Sequence, residues 1–215
     1  MQLHRRCGGG LQAIINGVMM IESGAGDVVL AGGVESMSNI EYYSTDVRWG
    51  KRAGSFTMHD RLDRGRERSQ LKDRFGYISG MIETAENLAT KYGISREAAE
   101  EYSVRSHQRA AAAWDEGGFD EEIGAVSIPQ RKGDPIVFSR DEGIRPETTM
   151  DSRAALRPLI KGGTVTAGNA SQQSDAAAAC LIVAEDKLAE LNLEPMAFMV
   201  GWSAMGCHPA TMGIG

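Results

Sequence analysis

Arg5-Arg6-Cys7-Gly8-Gly9-Gly10-Leu11-Gln12-Ala13 sets a cysteine and three glycines directly before a helix-forming run. From Leu11 onward the apolar residues Leu11, Ile14, Ile15, Val18 and Met19 recur at i, i+3, i+4, i+7 and i+8, one face of a 3.6-residue period. The spacing predicts a helix that starts beside Cys7 and is buried along that face. The unpaired N–H groups and positive dipole end of its first turn favour a thiolate over a thiol. Arg5 and Arg6 act in the same direction. Glycines leave no Cβ in front of backbone amides that could receive a carbonyl oxygen or a developing oxyanion. The chemistry expected is acyl transfer through a thioester on Cys7.

The stretch admits other readings. Free cysteine is among the most buried residue types, so a core cysteine at a helix start is the plain alternative. A secretion signal would also place His4, Arg5 and Arg6 before an apolar run, but Gln12, Asn16 and Glu22 interrupt that run and no small-residue cleavage pattern follows. His4, Cys7, Cys207 and His208 contain one H-x-x-C spacing, and with no second pair at finger spacing a metal site is weakly supported.

The chain has 215 residues, 42% of them hydrophobic, enough for a sizeable core in one or two domains. A net charge of −6 argues against a general nucleic-acid binder, and no apolar run approaches a membrane span. Cys7, Cys180 and Cys207 are odd in number and widely spaced, which fits reduced thiols and a cytoplasmic setting.

After the first helix, Asp27-Val28-Val29-Leu30-Ala31 reads as a strand buried on both faces, and the Gly32 to Ser38 stretch as a turn at its C-terminal end. A helix leading into such a strand is half of a βαβ unit whose first strand is expected upstream of Met1. Asn39 to Ile160 turns charged and irregular, an expected inserted subdomain. Within it the mixed-charge segment Asp60 to Arg74 fits a solvated loop better than a phosphate site. Glu83 to Tyr92 is a helix closed by Gly93; Ser95 caps a longer one in which Ala99, Tyr102, Ser106 and Ala110 share a face. Val126 to Ile128 and Ile136 to Phe138 are short strands about a Lys-Gly turn, and Thr149 caps a short helix from Met150 to Leu156. Arg145, just before it, could hold an anion or form an ordinary surface ion pair. Gly162 to Ser171 is a tightly packed small-residue loop, with Thr166, Asn169 and Ser171 as polar contacts. Ala176 to Val183 is a second buried strand, Glu185 to Leu191 a short helix, Ala197 to Trp202 a third strand, and Ala210 to Gly215 a loop.

Cys7, the Ala31-Gly32-Gly33-Val34-Glu35-Ser36-Met37-Ser38 turn, Glu83-Thr84-Ala85-Glu86-Asn87 and Gly163-Thr164-Val165-Thr166-Ala167-Gly168-Asn169-Ala170-Ser171 together resemble the thiolases, closest to acetyl-CoA acetyltransferases. Ser95-Arg96-Glu97, Asp141-Glu142, Arg145 and Pro209-Ala210-Thr211-Met212-Gly213 agree in the same order over nearly the whole chain. The resemblance implies an α/β, αβαβα-layered fold of two similar halves with a loop domain covering coenzyme A. In those terms residues 1–38 belong to the N-terminal core, 39–160 to the loop domain, 161–194 to a return to the core and 195–215 to the start of the second half. It also implies an acyl-thioester on Cys7, with Met81, Arg145, Ser152, Ala167 and Ser171 at places that line the coenzyme A site. Acyl-CoA is then the substrate and partner, no metal or redox cofactor is needed, nucleic acid and membrane are not partners, and the parent protein is a homodimer or homotetramer.

The family usually has Asn where His4 stands, Ser where Gly9 stands and Gly where Ala176 stands; Gly80 occupies a position that is often His in biosynthetic members. The family's Gly-His-Pro, Cys-x-Gly and Asn-Glu-x-Phe motifs do not occur in this chain, and the surroundings of His208 do not match the first. The expectation is therefore the middle half of a thiolase, inactive alone and poorly stable where sheet edges stay unpaired. A non-catalytic acyl-CoA-binding thiolase-like protein and a ketosynthase-like condensing enzyme are the alternatives.

Overall fold

The structure is a computed structural model that describes residues 1–64, 70–76 and 80–215, with the backbone alone at 63 and 64. Of the mixed-charge segment, Arg66, Glu67 and Arg68 and the side chains of Asp63 and Arg64 lie outside the described residues. After a 3-10 turn at Arg6–Gly8 come α1 (Gly9–Glu22), β1 (Val28–Glu35), β2 (Tyr42–Tyr43), β3 (His59–Asp60), α2 (Arg61–Arg64), α3 (Lys72–Phe75), α4 (Met81–Tyr92) and α5 (Arg96–Asp115). β4 (Val126–Ile128), β5 (Ile136–Phe138), α6 (Met150–Ala154), β6 (Ala176–Val183) and α7 (Leu188–Leu191) follow, and a 3-10 helix spans Pro209–Ile214. The chain divides into two compact units, Met1–Gly65 with Gln173–Gly206, and Arg66–Gln172 with Cys207–Gly215.

In the first unit β1 and β6 pair antiparallel, from Val28 opposite Val183 to Glu35 opposite Ala176. α1 packs on this ribbon through Ile15 and Gly17, both buried. A Cβ on Gly17 would stand 2.5 Å from Ile182 Cδ1, so the glycine lets helix and strand approach closely. Gly32 does the same within the sheet, where a Cβ would meet Ala178 O at 2.8 Å. Past the strand ends, Asp175 Oδ1 accepts the Ser38 N–H at 2.8 Å. That bond joins the segment after β1 to the residue just before β6.

Four expectations for this unit are corrected. β1 continues through Gly32 and Gly33 to Glu35, because both glycines keep ladder partners on β6. Neither β1 nor β6 is buried on both faces: with one strand neighbour and one helix, Leu30, Val34 and Leu181 stay exposed. Leu11 and Met19 on α1 are exposed for the same reason. Residues 197–202 form no strand, having no ladder partner among the described residues.

In the second unit the local signals determine the ends. Gly93 closes α4 in the left-handed region at φ +64°, donating to Ala89 O. Ser95 caps α5 by accepting the Ala98 N–H at 3.2 Å. β4 and β5 form the expected hairpin, with Ser127 opposite Val137. Thr149 and Ser152 form a reciprocal capping box on α6, which ends at Ala154. The buried stripe of α5 is Glu100, Ser103, Val104 and Ala111, while Tyr102 and Ser106 face solvent, so the face through Ala99, Tyr102, Ser106 and Ala110 is not the buried one. Polar residues occupy the inward side because each finds a hydrogen-bond partner there. Pro209–Ile214 is a 3-10 helix instead of a loop; His208 Nδ1 caps it by accepting the Ala210 N–H at 3.2 Å.

Candidate active site

Cys7 lies in the 3-10 turn that feeds α1, with its side chain exposed. Gly8 is the N-cap of α1 and no side chain caps the helix start. Beside the cysteine, Arg6 holds φ +51°, a backbone region costly for a residue with a Cβ and found most often where surrounding structure imposes a special geometry. A Cβ on Gly9 or Gly10 would meet nothing within 4 Å, so the glycines leave open space in front of the helix start. Arg5 donates from Nη1 to Gln12 Oε1 and is thus drawn along the helix. His4 Nδ1 accepts the Arg6 N–H at 3.4 Å. No three of the His, Cys, Asp and Glu side chains gather into a metal-holding group among the described residues.

The other five expected site residues are in the second unit. Met81 opens α4 and is exposed. Exposed Arg145 is held by its backbone, whose N–H donates to His107 Nδ1 at 3.2 Å. Ser152 is tied to its own cap: its Oγ donates to Thr149 O at 2.8 Å and accepts the Thr149 N–H at 3.1 Å. Ala167 and Ser171 are exposed and flank a loop braced from inside. Thr166, fully buried, accepts the Gly168 N–H, and Asn169 bridges the Thr166 N–H and Thr164 O at 2.8 and 2.9 Å. A Cβ at Gly168 would collide with Leu156 and Arg153, so the loop lies directly against the α6 segment that carries Ser152. Gln172 Nε2 donates to Gly143 O at 2.7 Å and ties the loop's far end to the segment before Arg145. The stretches bearing Arg145, Ser152, Ala167 and Ser171 are thereby gathered within this unit.

Residues that the sequence reading left without a role do the gathering. Glu86 accepts from the Thr164 N–H, the Thr164 hydroxyl and the Val165 N–H at 2.8–3.0 Å. Burial alone would raise its pKa, but the hydrogen bonds from Val165 and Thr164 outweigh burial and hold it below the ordinary value. Asn87 Nδ2 donates to Ala210 O at 2.9 Å, bringing the Pro209–Ile214 turn onto α4. Arg96, paired with buried Glu100 at 2.7 Å, donates to the carbonyls of Arg153, Ala154 and Leu156. Ser103 Oγ donates to Gly168 O at 2.7 Å in a buried setting. The Glu-Thr-Ala-Glu-Asn motif was visible as a motif, but its bonding partners lie more than seventy residues away in sequence.

An exposed cysteine at an uncapped helix start and, in the second unit, loops braced by buried polar side chains are the features to set beside known proteins. The family model described as the thiolase N-terminal domain matches residues 1–186, and the chain belongs to the thiolase family. A probable acetyl-CoA acyltransferase of Staphylococcus aureus (strain bovine RF122 / ET3-1) is 44% identical over 214 residues, 99% of this chain and 53% of that relative. The crystal structure of the Bacillus anthracis acetyl-CoA acetyltransferase is similar at a TM-score of 0.87 and 40% identity, covering 99% of this chain and 52% of that one. That of human mitochondrial 3-ketoacyl-CoA thiolase in complex with CoA gives 0.84 and 39%, covering 97% and 51%. The fold is therefore that of thiolases, and the chain spans about half the length of the curated relatives it matches.

Proposed function

We propose that the protein transfers acyl groups between coenzyme A thioesters, making and cleaving 3-ketoacyl-CoA, acetoacetyl-CoA foremost, through a thioester on Cys7. The observation that carries this reading is exposed Cys7 beside a strained Arg6 and an uncapped helix start, in a chain of the thiolase family. In the first half-reaction the Cys7 thiolate adds to an acyl carbonyl carbon. Backbone amides at the helix start are suited to the oxyanion that forms. With acetyl-CoA as donor, the C–S bond to coenzyme A then breaks and the released thiolate takes up a proton. In thiolysis of acetoacetyl-CoA the bond that breaks is C–C, and the departing carbanion of acetyl-CoA is protonated at carbon. A coenzyme A thiolate then attacks the acyl-Cys7 thioester and frees the cysteine.

Coenzyme A is bound by Met81 at the start of α4, Ser152 on α6 and Arg145, Ala167 and Ser171 on the loops, with the exposed Arg145 guanidinium suited to an anionic group. The family resemblance supports a cytoplasmic homodimer or homotetramer that uses no metal or redox cofactor. No helix among the described residues is long and apolar enough to cross a membrane. By themselves the 215 residues acylate Cys7 slowly and do not turn over, because a thiolate alone cannot deprotonate the carbon or the incoming thiol.

The test is thiolysis of acetoacetyl-CoA by protein expressed from the complete reading frame. Cleavage that requires coenzyme A and disappears in Cys7→Ala is expected; an intact frame with no turnover sinks the reading. Turnover by the 215-residue chain at the level of a whole thiolase would overturn its expected inactivity.

A further inference from the structure

One face of α5 presents Arg96, Glu100, Ser103 and His107 at i, i+4, i+7 and i+11, and three of the four bond to backbone groups of other segments. Arg96, braced by Glu100, holds the carbonyls at the end of α6; Ser103 holds Gly168 O; His107 Nδ1 accepts the Arg145 N–H. We propose that His107 is a positioning residue for the coenzyme A loop: by accepting the Arg145 N–H it holds Arg145 where its guanidinium meets the ligand, and acid releases that hold. The inference rests on the acyl-CoA reading above.

The bond requires Nδ1 to carry a lone pair, so it exists only in the neutral imidazole whose proton is on Nε2. Protonation turns the acceptor into a donor facing another donor. The charged groups that act on the ring are Arg153 from α6 and Arg145 and Glu147 from the adjoining loop. On its own helix the nearest charges of the stripe are the paired Arg96 and Glu100. Burial, then Arg153, then Arg145 disfavour the imidazolium and outweigh Glu147, so the histidine is held below its ordinary value of 6.5. Arg153 is itself buried; its Nη2 donates to Thr148 Oγ1 at 3.0 Å, while its Nε has no hydrogen-bond partner. Burial of the ring, helped by this guanidinium, keeps Nδ1 available as an acceptor at neutral pH.

The experiment is calorimetric titration of the chain with coenzyme A from about pH 8 to about pH 5, for wild type, His107→Asn and His107→Leu. Protection of the Arg145 amide from hydrogen exchange is read on the same samples without ligand. Asn keeps an acceptor near the place of Nδ1 and does not titrate; Leu removes it. Phosphate groups of the ligand titrate near pH 6 for every variant, so the comparison between variants isolates the histidine.

Wild type should lose roughly tenfold more affinity on acidification than His107→Asn, a factor equal to about one pKa unit. Arg145 protection should fall in step in wild type and persist in His107→Asn. His107→Leu should bind weakly and leave Arg145 unprotected at every pH. An identical pH dependence in wild type and His107→Asn, or wild-type affinity and Arg145 protection in His107→Leu, overturns the proposal. Wild type that fails to bind coenzyme A at any pH overturns the acyl-CoA reading and the ligand half of this inference, while acid loss of Arg145 protection still decides the positioning half.

Discussion

The two units differ in what they bury: among the described residues, only one of them adds polar side chains to an apolar core. In the Cys7-bearing unit the buried side chains are apolar, Ile15 and Ala31, and the sheet leaves Leu30 72% and Val34 80% exposed. The other buries Ala89, Val104 and Ala111 but also Glu100, Ser103, Thr148, Arg153 and Thr166, these five each with a hydrogen-bond or ion-pair partner among the described residues. Burial of apolar area is non-directional, and it sets how closely α1 and the ribbon approach. Buried polar groups cost free energy unless paired with good geometry, so they specify one loop arrangement and penalise others. On the proposed function, in which these loops bind coenzyme A, the second kind of order is the useful one.

Removing the largest polar clasp should have the largest effect. Glu86→Ala strands two N–H groups and a hydroxyl of Thr164 and Val165 and should cost about 2–4 kcal/mol, seen as a lower denaturant midpoint. A cost near zero would mean that apolar packing holds this unit as well. The same carboxylate carries a pH signature. Its folded pKa is depressed below 4.5, so its contribution is present above that value and lost as pH falls through the folded pKa. His107 is likewise depressed, so its contribution is complete above 6.5 and lost on acidification through its lower folded value. Stability should therefore rise with pH across both windows, and Glu86→Gln should flatten the acid one.

Next in size is a pair of glycines in the other unit. Gly32→Ala pushes a methyl against the carbonyl of Ala178, which is backbone and cannot yield, and should cost about 1–3 kcal/mol. Gly17→Ala meets the flexible end of Ile182 and gains helix propensity of roughly 1 kcal/mol, so its net effect should be smaller than that of Gly32→Ala. The reverse order in thermal melts would show that helix–ribbon spacing is the tighter constraint. Thr149→Ala removes the cap and the reciprocal bond on α6 and should cost about 1 kcal/mol. Smallest of all, Leu30→Thr changes an exposed strand position and should stay within about 0.5 kcal/mol.

Legibility in the sequence followed the range of the interaction. Gly93, Ser95 and Thr149 act within a turn of their helices, and the ends they mark were read correctly. The β4–β5 hairpin was equally local. The strand expected at 197–202 failed because strand formation needs a partner, and apolar residues alone do not supply one. The polar stripe on α5 was hidden because Ser103 and His107 bond to backbone groups of other segments and Glu100 braces Arg96, which does the same. Glu86 is visible as part of a motif and Asp175 carries no local signal, because what each holds is distant in sequence. Cys7 stood out because the arginines, glycines and helix start that bear on its chemistry all lie within a few residues of it.

The most direct test of the account is mass spectrometry of the purified chain after incubation with acetyl-CoA, with peptide mapping of the added acetyl group. An acetyl thioester on Cys7 that disappears when coenzyme A is added, and is absent in Cys7→Ala, is the predicted result. A folded chain that stays unmodified at Cys7, or is acetylated elsewhere in a manner that coenzyme A does not reverse, would contradict it.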